Sequence, residues 1–300
     1  MGTTLRGSPP PNPALDPIAR LVAALDEHSE RGQDTPRLYA IQPPLEPTCI
    51  YERGERLRFG ISLFAWAIDL YPYIVLAVKQ AERMGIGKHS LGANGEARPT
   101  PHERFKLVGL SAANGITGQT QDIPLAPLAG DITQLQIPDV PVTHAQITSD
   151  WSGLGVRPEQ TINRLQLRFF TPVTLRQRGE LLRVPTFSVL IHRLLERLHE
   201  LNRVSLTVPL PCLPATRDAR NALLAQADAV QLLRNDTRWV TLHGYSSKRA
   251  APTDLSGLMG SATYTCADFA PFMPLLRWGE VIHIGQHAVK GNGWYRLIIA

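Results

Sequence analysis

The chain has 300 residues, 43% of them hydrophobic and 19% charged, with a formal net charge of +5 and a pI of about 9.3. That length and balance suit one large or two ordinary globular domains with a real core. A run of about 18 apolar residues is missing, so no membrane-spanning helix is expected. The opening MGTTLRGSPPPNP lacks an apolar h-region, so no secretory signal is expected and the chain should stay in the cytoplasm.

Residues 1–14 are proline-rich and aperiodic, and are expected to be disordered. Asp16–Ser29 reads as a short amphipathic helix, with Asp16 as N-cap and Pro17 at the first helical position. Arg37–Gln42 reads as a strand stopped by Pro43 and Pro44. Arg56–Trp66 alternates through Leu57, Phe59, Ile61 and Leu63, which predicts a second strand. Asp69–Met84 predicts a helix closed by Gly85, followed by a glycine-rich loop to Glu103. Arg104–Leu110 predicts a strand that pairs with Ile116–Gln121 as a hairpin. Residues 122–158, rich in Pro, Gly, Asp and Thr, read as a connection with short strands.

A second unit opens with the strand Asn163–Phe170 and a turn. Thr186–Leu201 is a strongly amphipathic helix, and Asp218–Leu233 carries another apolar stripe. Strands are predicted at Arg238–His243, Gly260–Tyr264 and Trp294–Ile299, with a helix at Pro271–Trp278 before the last. Strands and helices mix without regular βαβα alternation. The fold class is therefore α+β: two tandem ferredoxin-like (RRM-like) domains with antiparallel sheets. The expected divisions are an N-terminal segment (1–36), a first domain (37–130), a connector (131–158) and a second domain (159–300). Such sheets commonly read single-stranded RNA.

The positive charge permits a polyanionic partner. Arginine dominates, and many arginines sit at strand ends and in loops, among them Arg53, Arg58, Arg104, Arg157, Arg176 and Arg249. Their forked guanidinium groups suit phosphate and base edges. Cys49, Cys212 and Cys266 form no CxxC pair, so neither a zinc site nor a disulfide framework is expected, and all three read as buried small hydrophobes. No cofactor is expected.

The ending HIGQHAVKGNGWYRLIIA places Gly285, Gly291 and Gly293 around Lys290. Glycine lets backbone N–H groups approach a phosphate closely. The loop lacks the Ser or Thr after lysine, and the following helix, that a Walker A motif requires. Nor does it match a dinucleotide-binding fingerprint. Of nine histidines, His192 and His199 flank a leucine-rich helix face, whereas His89, His102 and His287 lie in basic, glycine-rich loops where a phosphodiester could reach them. No histidine pair has metal-ligand spacing on one helix face.

In order, GERLRFGISLFAWAIDLYPYIVLAVKQAERMGIGK (54–88), RFKLVGL (104–110), LRFFTPVTLR (167–176), FSVLIHRLLERLHEL (187–201), GYSSKRAAPTDLSGLMGSATY (244–264) and VIHIGQHAVKGNGWYRLII (281–299) closely resemble the CRISPR-associated endoribonucleases that cut precursor CRISPR RNA, a branch of the RAMP superfamily. The resemblance covers about residues 54–300. It implies two tandem ferredoxin-like domains, a glycine-rich loop beside the bound repeat RNA, and metal-independent cleavage by the ribose 2′-OH that leaves a 2′,3′-cyclic phosphate. Such chemistry needs a base, an acid and cations for the phosphorane-like charge. The RNA contacts it implies are Lys88, Arg104, Lys248, Arg249, Gly285, Lys290, Gly291 and Gly293. The candidate acids and bases are His89 first, then His102 and His287, with Lys88 or Arg104 offsetting charge. The expected partners are CRISPR repeat RNA and other CRISPR effector subunits.

At the front, MGTTLRG resembles a family turn whose preceding strand is absent, and PPPNPALDP replaces the following helix. A non-catalytic RNA-binding subunit of a CRISPR ribonucleoprotein is therefore the alternative. A protein–protein module without an RNA role is the third reading. Valine at Gly291 and Gly293 is expected to harm RNA binding more than folding.

Overall fold

One of the two longest described strands alternates Leu165, Leu167 and Phe169 inward with Arg164 and Arg168 outward, and the second half of the chain is built around it. The computed structural model describes residues 37–46, 51–85, 90–91, 97–98, 104–125, 135–149, 151–157, 159–205, 210, 212–246 and 251–299. The expected helix at Asp16–Ser29 and the disorder expected for 1–14 lie outside these residues. Among the described residues, no helix is long and apolar enough to cross a membrane.

In the first half, β1 (Tyr39–Gln42) pairs antiparallel with β2 (Gly60–Leu63). The stretch before Gly60, expected as strand, makes no ladder, and Ala65–Leu70 coils into a 3₁₀ turn. Helix α1 (Tyr71–Met84) follows, with Pro72 in its first turn and Gly85 closing it at φ 78°. The two-residue strands β3 (Ser90–Leu91) and β4 (Ala97–Arg98) pair with each other.

The next hairpin is shifted from its expected position. Arg104–Leu110 is not a strand: the Leu107 N–H donates to Glu82 Oε1 at 2.6 Å, which ties the segment to α1. The ladder instead joins β5 (Ser111–Ala113) to β6 (Thr120–Asp122). Asn114 sets the turn between them, its Oδ1 accepting from the N–H groups of Ile116 and Thr117 at 3.0 Å each. In the expected connector the described residues form no strand after β6. They hold helix α2 (His144–Thr148), opened by a capping box between Thr143 and Gln146, and a 3₁₀ turn at Ser152–Leu154.

The second half runs β7 (Arg164–Val173), a small hairpin of β8 (Arg176–Gln177) and β9 (Glu180–Leu181), α3 (Phe187–Ser205), α4 (Arg217–Asp228), β10 (Gln231–Val240), a hairpin of β11 (His243–Ser246) and β12 (Ala251–Asp254), β13 (Gly257–Thr265), α5 (Met273–Ile282) and β14 (Tyr295–Ile299). Four strands make one antiparallel sheet in the order β10-β13-β7-β14. With α4 taken as an insertion and β11–β12 as an extension, the connectivity is β-α-β-β-α-β, the ferredoxin-like pattern. The described strands of the first half make only two-stranded sheets.

Two predicted boundaries fail here for one reason. The helix expected over Asp218–Leu233 stops at Asp228, and Gln231 already pairs with Thr265. The apolar stripe continues past the helix because β10 carries its own half-buried residues, Leu232 opposite Tyr264 among them. Tertiary pairing overrides a local period that serves both structures.

Helix α3 covers the inner face of the sheet with Leu190, Ile191, Leu194, Leu195 and Leu198, all buried. The Phe187 ring sits 5.2–5.5 Å from the rings of Tyr264, Phe269 and Phe272. Leu38, Ala67 and Leu70 of the first half belong to this same core cluster, and Trp66 Nε1 donates to Val204 O at 3.4 Å. The two halves therefore share a core.

Helix α5 sits at that junction and carries charge into it. Arg277 and Glu280 are 3% and 1% exposed at the side chain and meet at 2.5 Å. The other Glu280 oxygen accepts the Leu297 N–H at 3.0 Å, and Arg296, 3.8 Å from the same oxygen, donates to Gly115 O of the first half at 3.3 Å. Burial pushes the Glu280 carboxyl up, and Arg277 opposes the shift. Removing one member of a buried pair strands the other. Glu280→Ala is therefore expected to cost about 3–5 kcal/mol in urea unfolding, and Glu280→Gln, which keeps an acceptor for Leu297, less. Equal small losses in both variants would show that packing alone holds the helix.

Candidate nucleic-acid interface at the glycine-rich loop

Helix α5 ends at Ile282, and the chain turns sharply before β14. His283 at φ 62° begins the turn, Gly285 follows at 80°, and His287 at 62° opens a 3₁₀ turn, Ala288–Lys290. Gly291 at 101° and Gly293 at 72° close it. Positive φ at five of eleven positions explains the glycine content in part.

Close packing explains the rest. A Cβ on Gly285 would lie 2.6 Å from Thr174 O; one on Gly291 would lie 2.9 Å from Pro43 Cδ and 3.2 Å from Ile41 O. One on Gly293 would collide with the Ile284 carbonyl oxygen. The loop's amides also turn inward: Ile284 N–H donates to Gly293 O, Gly293 N–H to Pro172 O and Gln286 N–H to Thr174 O, at 3.0, 2.9 and 3.3 Å. Gly291 and Gly293 are buried against the chain itself, so valine there carries a folding cost of its own beside any effect on RNA binding.

The inner side of the loop holds a partly buried cation and a buried imidazole. His283 is fully buried and stacks on Trp294 with ring centroids 6.0 Å apart. Among the described residues neither ring nitrogen makes a hydrogen bond of good geometry. Burial, with the nearby Arg197 charge second, pulls its pKa down to about 3, so the ring is neutral. Arg197, from α3, donates through Nε to Ile282 O at 2.7 Å and caps the end of α5. Burial lowers its pKa to about 10, which still leaves it charged at neutral pH.

The outer side meets two hairpins. Asn292 Nδ2 donates to Leu255 O at 2.8 Å, and Thr174 Oγ1 donates to Ser256 O at 2.5 Å; both anchors lie at the base of β11–β12. Arg176, from β8, reaches Gln286 Oε1 at 3.5 Å, and Arg193 of α3 clamps the Arg176 carbonyl. On β12, Asp254 accepts the Ser256 N–H at 2.9 Å. Hydrogen bonding from Ser256 lowers its carboxyl pKa most, and the charges of His243 and His287 lower it further.

Of the residues nominated by sequence, Gly285, His287, Lys290, Gly291 and Gly293 come together in this loop, with Lys290 exposed and His287 half-buried. Arg104 is exposed at the start of the segment tied to α1. Lys88, His89, His102, Lys248 and Arg249 lie outside the described residues. His243 and Asp254 escaped the sequence reading because the β11–β12 hairpin did. A strand pair bounded by SSKR and DLSG was the available signal. Cys212 and Cys266 are half-buried rather than buried, and Cys49 is outside the described residues. Among the described residues no group of three or more His, Cys, Asp or Glu could hold a metal ion.

A four-stranded antiparallel sheet under two helices, with arginines on its open face and a basic loop at its edge, is the build of an RNA-recognition type of domain. Residues 167–295 match the family model of the CRISPR-associated endoribonuclease Cas6. A second family, described only as an N-terminal domain, matches residues 19–124. The product complex of a Thermus thermophilus Cas6 aligns over 94% of this chain and 89% of its own, at 13% identity and a TM-score of 0.53. The partial complex of a Cas6-RT-Cas1 protein with Cas2 aligns over 94% of this chain and 42% of its own, at 15% identity and 0.50. The free Thermus thermophilus Cas6 aligns over 46% of this chain and 55% of its own, at 14% identity and 0.36. No curated protein matches.

The packing predicts that Gly291→Val destabilises the fold. Overpacking costs about 1–3 kcal/mol, with further strain from positive φ; an unchanged thermal midpoint would mean that β1 and the loop are not in contact. The depressed His283 pKa predicts an acid-sensitive fold. Its contribution is complete above about 6.5, the ordinary histidine pKa, and is lost as pH falls toward about 3. His283→Phe, followed by urea unfolding from pH 7 to 4, should flatten that decline; an identical slope would locate the acid sensitivity elsewhere.

Proposed function

We propose that the protein binds CRISPR repeat RNA and cuts it without a metal, leaving a 2′,3′-cyclic phosphate. The observation that carries this reading is the Cas6-family match over residues 167–295, which coincides with the ferredoxin-like domain and its terminal loop. A tandem ferredoxin-like arrangement is part of the same reading, supported by the fold-level likeness across 94% of the chain. The first half would then supply the facing wall of an RNA channel, with Lys88, Arg104, Lys248, Arg249 and Lys290 contributing phosphate contacts.

In this mechanism a base takes the proton of the ribose 2′-OH, the oxygen attacks the adjacent phosphorus, and an acid protonates the departing 5′-oxygen. The side chains offset the charge that builds on the phosphorane. His287 is the acid–base candidate within the loop, where its ring is half-buried, its charge is felt at Asp254 and Lys290 is close in sequence. His89 and His102 are the candidates from the first half. The glycines act indirectly: by letting the loop pack, they hold His287 and Lys290 in place. The other CRISPR proteins of an effector complex are the further partners of this reading.

The test is cleavage of the cognate repeat RNA in EDTA, with the 3′ end of the 5′ fragment analysed for a cyclic phosphate. Alanine at a true acid or base should slow single-turnover cleavage by on the order of 10²–10⁴-fold while RNA affinity barely moves. His287→Ala, His89→Ala and His102→Ala compared in parallel identify which position carries the proton. A parent protein that binds repeat RNA tightly and never cuts it would make the chain an RNA-binding subunit instead.

A further inference from the structure

We infer that His243 is a second catalytic residue, working with His287 as an acid–base pair across one phosphodiester held between the β11–β12 hairpin and the glycine-rich loop. The inference rests on the RNA-cleavage reading above and adds to it a residue from a different element.

His243 is the first residue of β11 and faces Asp254, the last of β12, as its Cα partner in the antiparallel register. Side chains paired in this way emerge on the same face of a hairpin. Three contacts then bring the loop to that end of the hairpin. Asn292 holds Leu255 O, Thr174 holds Ser256 O, and Thr174 O in turn accepts the Gln286 N–H, one residue before His287. The two histidines thus come to the same end of the hairpin from two separate elements, and the charge of each helps lower the Asp254 carboxyl pKa. His243 is exposed and His287 half-buried.

Two imidazoles suit the reaction's proton inventory. One ring, neutral, accepts the 2′-OH proton as the new 2′-O–P bond forms. The other, protonated, gives its proton to the 5′-oxygen as the P–O5′ bond breaks. The products are a 2′,3′-cyclic phosphate and a 5′-hydroxyl, and the two rings have exchanged protonation states without any further reactant. Histidine is suited to both tasks near neutral pH. The other charged groups about the site are Lys290 on the loop and Arg176, which reaches Gln286 from β8; His283, beneath the loop, is neutral. These cations would hold the phosphate against the repulsion of Asp254.

The experiment combines rates with a readout that needs no turnover. Single-turnover cleavage of repeat RNA is measured from pH 5 to 9 for the parent, His243→Ala, His287→Ala and the double variant. In parallel, imidazole resonances are titrated by NMR with and without a repeat RNA carrying a 2′-deoxy residue at the cut site. The expected parent profile is bell-shaped. Each single variant loses one limb and slows by on the order of 10²-fold or more, and the double variant is little slower than either single, because the pair acts as a unit. The uncleavable RNA should raise the titration midpoints of both His243 and His287, since a phosphate between them favours both imidazolium forms. His243→Ala cutting at the parent rate overturns the inference and leaves the cleavage reading intact. A midpoint shift at His287 alone also overturns it, because the two rings then do not share a phosphate. A parent that binds RNA and does not cut removes the cleavage reading, and with it the pair.

Discussion

The contact that organises this protein is one in which a side chain has no room. Gly293 lies against the Ile284 carbonyl so closely that a Cβ would overlap it. The Ile284 N–H donates back to Gly293 O at 3.0 Å, so the two ends of the loop are cross-braced. The brace lets α5 leave the sheet, reverse within eleven residues and return as β14 beside β7. Because β14, among the described strands, is an edge strand bonded only to β7, its register depends on where the loop releases it. The buried Glu280, which accepts from Leu297 on β14, fits only if that register holds.

The same constraint joins the two halves. Gly291 packs on Pro43 and Ile41 at the end of β1, so a loop usually considered a ligand contact is also a structural joint. The joint is rigid for electrostatic reasons as well. Arg197 caps the carbonyl end of α5 from inside, and His283 beside it stays neutral because a buried cation there would have no counter-ion. Any ligand held on the outer side of the loop therefore meets groups whose positions were set by packing before it arrived. Preorganised donors of this kind do not have to be reoriented as charge develops.

Legibility in the sequence followed the strength of the local pattern. β7, α3 and α5 were readable because their apolar residues recur at spacings that match one element only, as with Leu165, Leu167 and Phe169. The loop was readable as a loop from its glycines, and the family resemblance was readable from the order of the landmarks. What stayed hidden depended on distant partners. Nothing local says that Gly291 faces Pro43, about 250 residues earlier in the sequence, so its glycine was ascribed to a ligand rather than to β1. Arg104–Leu110 has the alternation of a strand but docks on Glu82 of α1 instead of pairing. The β11–β12 hairpin was missed because short strands around a polar tip give little periodic signal, and His243 and Asp254 were missed with it.

Two histidines four residues apart in this loop have opposite fates, and the difference lies in backbone direction rather than residue type. Both adopt positive φ, at 62°. His283, at the end of α5, is turned inward, stacks on Trp294 and is held neutral by burial and by Arg197. His287, after Gly285 reverses the chain, stays half-buried with its charge felt at Asp254. The inner ring can only fill space, and protonating it costs stability. The outer ring can change protonation state without opening the core. A loop that must remain folded while moving a proton needs this separation, with the titrating group placed where its charge reaches solvent or phosphate and not the partly buried Arg197.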